Sequence, residues 1–421
     1  MNVKVNKFRF GSLATIFALV GPGIVVMLAD TDAGSVITAA QSGATFKYQL
    51  IASQILLIPI LYLVQEMTAR LGIYTQKGHG ALILQTFGRK WAVFSAITLF
   101  VACVGALITE FAGVSGVGNL LGIPSWLSIG ASSIALSILI LVGRYRRVEK
   151  IGIAIGALEL LFIPAAIFAH PKVGEITNSF AHSFSTNTDY LKLLAANVGA
   201  VIMPWMIFYQ QEAIIDKGRR NLQIRSAIKS ARFDTALGAV ITQLVMISIL
   251  IVTGATLGKA GFHSELNNVG DISNALKPFL GENIAVVVFG LGMIGASLVA
   301  TIVVTLAGAW GISEVFSWPH SLNDKPRKAV GFYALAICGI LIGAFLVIFS
   351  PNLVKLSIDV EVLNAALLPI VLGFLLALEK KALKPEHQMK GLRKVITYLL
   401  TGLVITFGLY IIVQTFANFK F

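Results

Sequence analysis

Eleven apolar runs follow one another along the chain, at 12–44, 47–69, 91–119, 124–143, 151–169, 190–215, 235–257, 283–316, 329–350, 355–378 and 395–417. About 20 apolar residues suffice for a helix to cross the hydrocarbon core of a bilayer. Backbone groups in lipid must find their hydrogen bonds within the protein, so runs of this kind predict helices. Composition agrees: 56% of the residues are hydrophobic and 13% charged, against about 25% charged in an ordinary soluble chain. Several water-exposed domains could not be coated with so few charges. The 39 Gly, 12 Pro and 2 Cys in 421 residues exclude collagen-like, disordered and disulfide-framed classes. The expected fold is an all-α polytopic membrane protein of 11 transmembrane helices, residues 1–421 forming one transmembrane domain.

The net charge of +13 would suit a nucleic-acid binder, but the bases sit between apolar runs rather than on one contiguous face. They are also unevenly shared between the two sides. One set of links holds Lys4, Lys7 and Arg9 and the segments 70–90, 144–150, 217–232, 325–328 and 380–394, and carries 26 of the 33 Lys and Arg. The other set has Lys47, Lys172, Lys192, Lys259, Lys277, Lys355 and Lys420. The positive-inside rule then puts the N-terminus in the cytoplasm, the C-terminus outside, and the protein in the cytoplasmic membrane. Lipid is the expected partner, with no nucleic acid and no obligate protein partner.

Two of the runs are interrupted in a way the others are not. The first reads Gly21-Pro22-Gly23 and then Asp30-Thr31-Asp32-Ala33-Gly34-Ser35; the sixth reads Gly199-Ala200-Val201-Ile202-Met203-Pro204-Trp205. Pro removes a backbone donor and clashes with the preceding turn, and Gly and paired Asp weaken a helix. Five is an odd number of crossings, so the two runs enter from opposite sides. The pattern predicts two inverted five-helix repeats, 12–169 and 190–378, with helices 1 and 6 broken near the midplane and 395–417 an additional helix. Broken helices at matching positions are the sequence pointer to a transporter site.

The ionisable residues within the runs are Asp30, Asp32, Glu66, Glu110, Glu159, Glu212, Glu314, Asp359 and Glu361, and no Lys or Arg lies deep in a span. An acid at a helix centre costs about 2.5–3.5 kcal/mol on insertion scales, so each is a functional candidate. Glu66, Glu212 and Glu314 fall near the cytoplasmic ends, where solvated carboxylates are expected; Asp32 and Glu110 are deeper. Cys103 and Cys338 read as small buried thiols. At the breaks, Asp32 offers a carboxylate, Ser35 a hydroxyl, an unwound segment would free the Ala200 carbonyl, and Met203 adds a thioether. Oxygen donors suit hard divalent cations and a thioether adds preference for softer transition metals.

These residues resemble the Nramp (natural resistance-associated macrophage protein) family of divalent metal transporters. Gly21-Pro22-Gly23 with Asp32-Ala33-Gly34-Ser35 is similar to its first helix, whose pattern there is Asp-Pro-Gly-Asn. Met203-Pro204-Trp205 is similar to Met-Pro-His in its sixth helix. Gln65-Glu66-Met67-Thr68-Ala69-Arg70-Leu71-Gly72 and Thr109-Glu110 with Gly113 resemble its second and third. The resemblance implies a fold like that of the amino-acid/sodium symporters and a substrate site formed by Asp32, Ser35, the Ala200 carbonyl and Met203. Trp205 and Gln210 stand where the family has His, and Leu107 where an Asp precedes the helix-three Glu. The usual His proton route is therefore missing, and Asp30, Asp32 or Glu110 are the candidate carriers, with Trp205 and Gln210 beside the site. The expected function is secondary active transport of a divalent cation such as Mn2+ by alternating access. No enzymatic site and no cofactor beyond the transported ion are expected. Two other readings stay open: a same-fold transporter of a small anion such as bicarbonate or a small carboxylate, and a membrane receptor that binds without transporting.

Overall fold

The computed structural model describes residues 22–181, 183–216, 224–259 and 265–418. Gly21, the start of the first apolar run and the bases Lys4, Lys7, Arg9, Lys217, Arg219, Arg220 and Lys420 lie outside them. The first half of the chain holds α1 (Pro22–Asp30), α2 (Ala33–Phe46), α3 (Ile51–Thr75), α4 (His79–Phe87), α5 (Arg89–Leu120) and α6 (Ser125–Val142). Next come α7 (Tyr145–Gly156), a 3-10 turn over Ala157–Leu161, α8 (Phe162–Phe168) and α9 (Val173–Ala181). The second half holds α10 (Thr188–Val201), α11 (Pro204–Asp216), α12 (Ile224–Thr256), α13 (Asp271–Leu280), α14 (Glu282–Val315), α15 (Val330–Ile348), α16 (Leu353–Ala382) and α17 (Gly391–Asn418). Ten of the resulting helical segments are long and apolar enough to cross a membrane, and α1 with α2, bent by 48°, makes up to 11. The chain is a multi-pass, all-helical membrane protein, and no strand occurs among the described residues.

Packing sorts the helices by what their faces can touch. All fourteen residues of α2 are buried, although they include Ser35, Thr38, Gln41, Ser42 and Thr45; only a position surrounded by other helices tolerates such a segment. It lies against α12, α10, α16 and α5. The other broken span is similarly enclosed, with α11 held between α3 and α14. Outer helices show the opposite pattern. Ile134, Ile138 and Val142 of α6, Leu341 and Phe345 of α15, and Leu399 and Leu403 of α17 are exposed at about one-turn spacing, which is how a helix presents an apolar stripe to lipid tails. The interrupted spans thus sit at the centre of the bundle, and continuous helices coat them.

Three expectations are corrected. Glu66, Glu212 and Glu314 are 2%, 5% and 4% exposed; they are buried against partners, not solvated. Glu66 receives Arg232 at 2.8 Å and Arg70 at 3.5 Å and also meets Arg393, so distant bases replace the water that the position near a span end suggested. Cys103 is buried, but Cys338 is exposed on the outer side of α15, because that helix turns one face away from the bundle. Finally, α10 stays helical through Gly199 and Ala200, and the interruption is confined to Ile202 and Met203.

Candidate functional site

In the first span, α1 stops at Asp30 and α2 starts at Ala33, and the turn between them is held by its own side chains. Asp32 is the N-cap of α2, its Oδ1 accepting from Ser35 N at 2.7 Å. Acidic N-caps satisfy one of the free amides of a first turn and stabilise a helix by about 1 kcal/mol. One oxygen is thereby used, and the other, Oδ2, receives no hydrogen bond. Ala33 N donates to Glu110 Oε2 of α5 at 3.2 Å, which brings the Glu110 carboxyl to that of Asp32.

The second break meets the first through Ser35. Its Oγ lies 2.9 Å from the carbonyl of Asp30 and 2.9 Å from that of Ala200. Neither carbonyl is served by a helix ladder: α1 ends at Asp30, and Pro204, four residues after Ala200, has no N–H. A single hydroxyl proton can bond to only one of the two at a time. The second carbonyl is left with a lone pair and no donor, at a buried point where an unmade hydrogen bond costs about 1–3 kcal/mol. Met203 completes the break, fully buried one residue before α11 begins.

Around this point the bundle collects acids. Asp30, Glu110, Glu159 and Glu361 are each within electrostatic reach of Asp32, and all five are 0% exposed. Both oxygens of Asp30, both of Glu159 and Oε1 of Glu361 lack a hydrogen-bond partner. Glu361 arrives from α16: a Cβ on Gly34 would strike its carboxylate, so glycine there is what admits it. Its Oε2 accepts from Asn364 at 3.0 Å. Among the described residues no Lys, Arg or His forms an ion pair with any of the five acids. An uncompensated ion of this kind normally costs several kcal/mol, so these carboxyls need either a bound proton or a cation to be neutralised there.

Of the residues expected from sequence, the structure gathers Asp30, Asp32, Ser35, Ala200 and Glu110 at one point and places Met203 at the second break. Trp205 is buried with an unpartnered indole N–H. Gln210 is buried and donates to Thr235 of α12 at 3.2 Å. Glu159 and Glu361 were visible as membrane acids, but not as members of this cluster. Asp359, two residues from Glu361, is instead half-exposed and paired with Lys192 at 2.7 Å.

Solved structures share this arrangement of broken and continuous helices. A point variant of the manganese transporter of Eremococcus coleocola superposes with a TM-score of 0.75 at 19% identity, covering 100% of this chain and 92% of that one. A nucleobase-cation-symport-1 family transporter in a closed conformation gives 0.61 at 14% identity, over 93% and 90%. The fold is therefore that of the broken-helix symporters, as the sequence implied. Residues 23–414 match the family described as natural resistance-associated macrophage protein-like. A divalent metal cation transporter MntH of Staphylococcus aureus is 28% identical over 99% of this chain and 94% of its own length. The chain belongs to the Nramp family.

Proposed function

We propose that this protein is a secondary transporter of the cell membrane that carries a divalent transition-metal cation, with Mn2+ the best match to its donors. The observation that carries the reading is the junction of the two breaks. Ser35 Oγ spans the Asp30 and Ala200 carbonyls beside the unpartnered Asp32 Oδ2, within five buried acids and no base. Asp32, the Ser35 hydroxyl, the Ala200 carbonyl and Met203 are the proposed ligands. An arriving cation would take the lone pairs that one hydroxyl proton cannot satisfy, and the thioether favours a softer ion over Mg2+.

The two breaks also suit alternating access. Each joins two half-helices that can tilt separately, and 12–169 and 190–378 are read as the inverted halves. Glu110 is the proposed proton carrier, because it touches both Asp32 and the first amide of α2. A cytoplasmic N-terminus and an outside C-terminus follow from the 26 bases on one side. An anionic substrate fits poorly: at about 5 Å and an effective dielectric of about 20, each carboxylate repels it by about 3 kcal/mol.

Flux into sealed proteoliposomes tests the reading, with Mn2+, Mg2+ and bicarbonate compared side by side and internal pH recorded. Saturable Mn2+ uptake with acidification that Glu110→Gln abolishes is expected. Bicarbonate uptake without uptake of any divalent ion would overturn it.

A further inference from the structure

A second group of ligand atoms lies at the basic end of the bundle, away from the helix breaks. Glu212 of α11, Glu314 in the last turn of α14 and His320 in the link after it bring one ligand atom each within 4.8 Å of one another. Their placement is imposed by the surroundings. Asp216, at the end of α11, receives Ser321 Oγ at 2.6 Å and Leu322 N at 3.2 Å, which pins the link over the helix. Glu314 Oε2 receives Gly80 N at 2.8 Å and Ala81 N at 3.3 Å, the first amides of α4.

What remains is a set of carboxylate lone pairs with no hydrogen-bond donor. Glu212 Oε2 and Glu314 Oε1 have no hydrogen-bond partner, although both residues are more than nine-tenths buried. Both oxygens point at the place where a side chain on Gly78 would begin. They lie near the C-terminal ends of two helices, where the backbone itself is partly negative and a cation is favoured. His320 is oriented to match. Its Nδ1 lies 2.6 Å from the carbonyl of Trp318, so in the neutral ring Nδ1 carries the proton and Nε2 turns its lone pair toward Glu212, 3.5 Å away. A ring fixed through Nδ1–H to a carbonyl, with Nε2 facing a carboxylate that can share the same ion, is the arrangement a metal-ligating histidine adopts.

We infer that Glu212, Glu314 and His320 form a second divalent-cation site, of two carboxylates and one imidazole, that fastens α11, α14 and the start of α4 together. Two oxygens and one nitrogen suit a first-row ion such as Mn2+, Fe2+ or Zn2+ better than Mg2+ or Ca2+, with water filling the remaining positions. The site does not depend on the function proposed for the helix breaks: it shares no residue with them, and it binds a cation whether or not one is transported.

Pulsed EPR of Mn2+ added to the purified, tag-free full chain reads it directly, because nitrogen modulation reports an imidazole on the metal and the site at the breaks offers no histidine. Asp32→Asn should keep one Mn2+ site with the nitrogen modulation. Adding His320→Gln should abolish the modulation and weaken that binding by about tenfold or more. Glu314→Gln should weaken it likewise, but it also takes the charge from the acceptor that caps α4, so the half-buried His320 is the cleaner variant. Absence of Mn2+ binding to Asp32→Asn at millimolar concentration, or modulation that survives His320→Gln, would overturn the inference. Loss of the remaining site on His320→Gln alone, with Asp32→Asn unchanged, would instead count against the ligand role of Asp32.

Discussion

Glu110 and Glu66 are carboxylates in neighbouring spans, 0% and 2% exposed, and they have opposite surroundings. Glu66 is met by Arg70, Arg232 and Arg393, and Arg70 goes on to Glu379 at 3.1 Å and the His387 carbonyl at 2.6 Å. That network ties α3, α12, α16 and α17 together at the basic end. Glu110 has a backbone amide, Asp32 and further acids, and no base. Burial therefore does not separate a carboxylate that braces the bundle from one left open to an ion or a proton. The presence of a fixed counter-charge does, because a charge already neutralised by the protein has nothing to offer a passing ion.

The largest effect expected from that contrast is at Asp32. Asp32→Asn keeps a side-chain oxygen to cap Ser35 but removes the charge, so saturable Mn2+ uptake should fall by about a hundredfold or more while the thermal midpoint of the purified protein changes little. Glu66→Gln should behave in the reverse way. Arg232 and Arg393 lose their acid and Arg70 keeps only Glu379, and stability should drop by up to about 3 kcal/mol, the low end for a broken buried pair because Arg232 and Arg393 are partly solvated. Denaturation in detergent together with uptake per folded molecule separates the two cases. A stable Glu66→Gln that cannot transport would erase the distinction.

A third prediction comes from His79, which is buried at the start of α4 with Nδ1 3.0 Å from Gln211. Burial pushes its imidazole down to about 4, against about 6.5 in an unfolded chain. The unfolded state therefore binds the proton first as pH falls. The stability present above about pH 6.5 should be lost progressively toward pH 4, by about 3 kcal/mol in all. Thermal midpoints between pH 7.5 and 5 should fall in the wild type and fall less in His79→Asn; equal slopes would remove His79 as the cause.

Met203→Ala should have the smallest effect, and it sharpens the comparison within the site. A thioether contributes to binding of Cd2+ or Mn2+ and little to Mg2+. The ratio of Cd2+ to Mg2+ competition constants should narrow by about tenfold, roughly 1.4 kcal/mol. An unchanged ratio in a folded variant would take Met203 out of the ligand set.

Much of this was readable along the chain. Asp32 and Pro204 stand out because a charge and a missing amide are conspicuous in apolar runs, and Ser35 follows from Asp32 by one helical turn. Glu361 was visible as an acid but not as a neighbour of Asp32. It and Asp359 share one run, and nothing local says which faces inward; the structure turns Glu361 onto Gly34 and Asp359 out to Lys192. For Gln210 the chain offered a position on the sixth span but not its partner, which is Thr235 on another helix.

The sequence by itself determined that the chain is a bundle of about ten or eleven apolar spans and that the first and sixth of them are interrupted. Hydropathy and helix breaking are properties of a few consecutive residues, and each span must satisfy its own backbone in lipid. Only the tertiary structure decided which carboxylates are neutralised and which are left open. Two of the three partners of Glu66 come from α12 and α17, neighbours of Asp32 come from α5 and α16, and Glu212 meets Glu314 and His320 across about a hundred residues. Electrostatic compensation acts through space over a few ångströms, so it is settled by the packing of helices far apart in the chain.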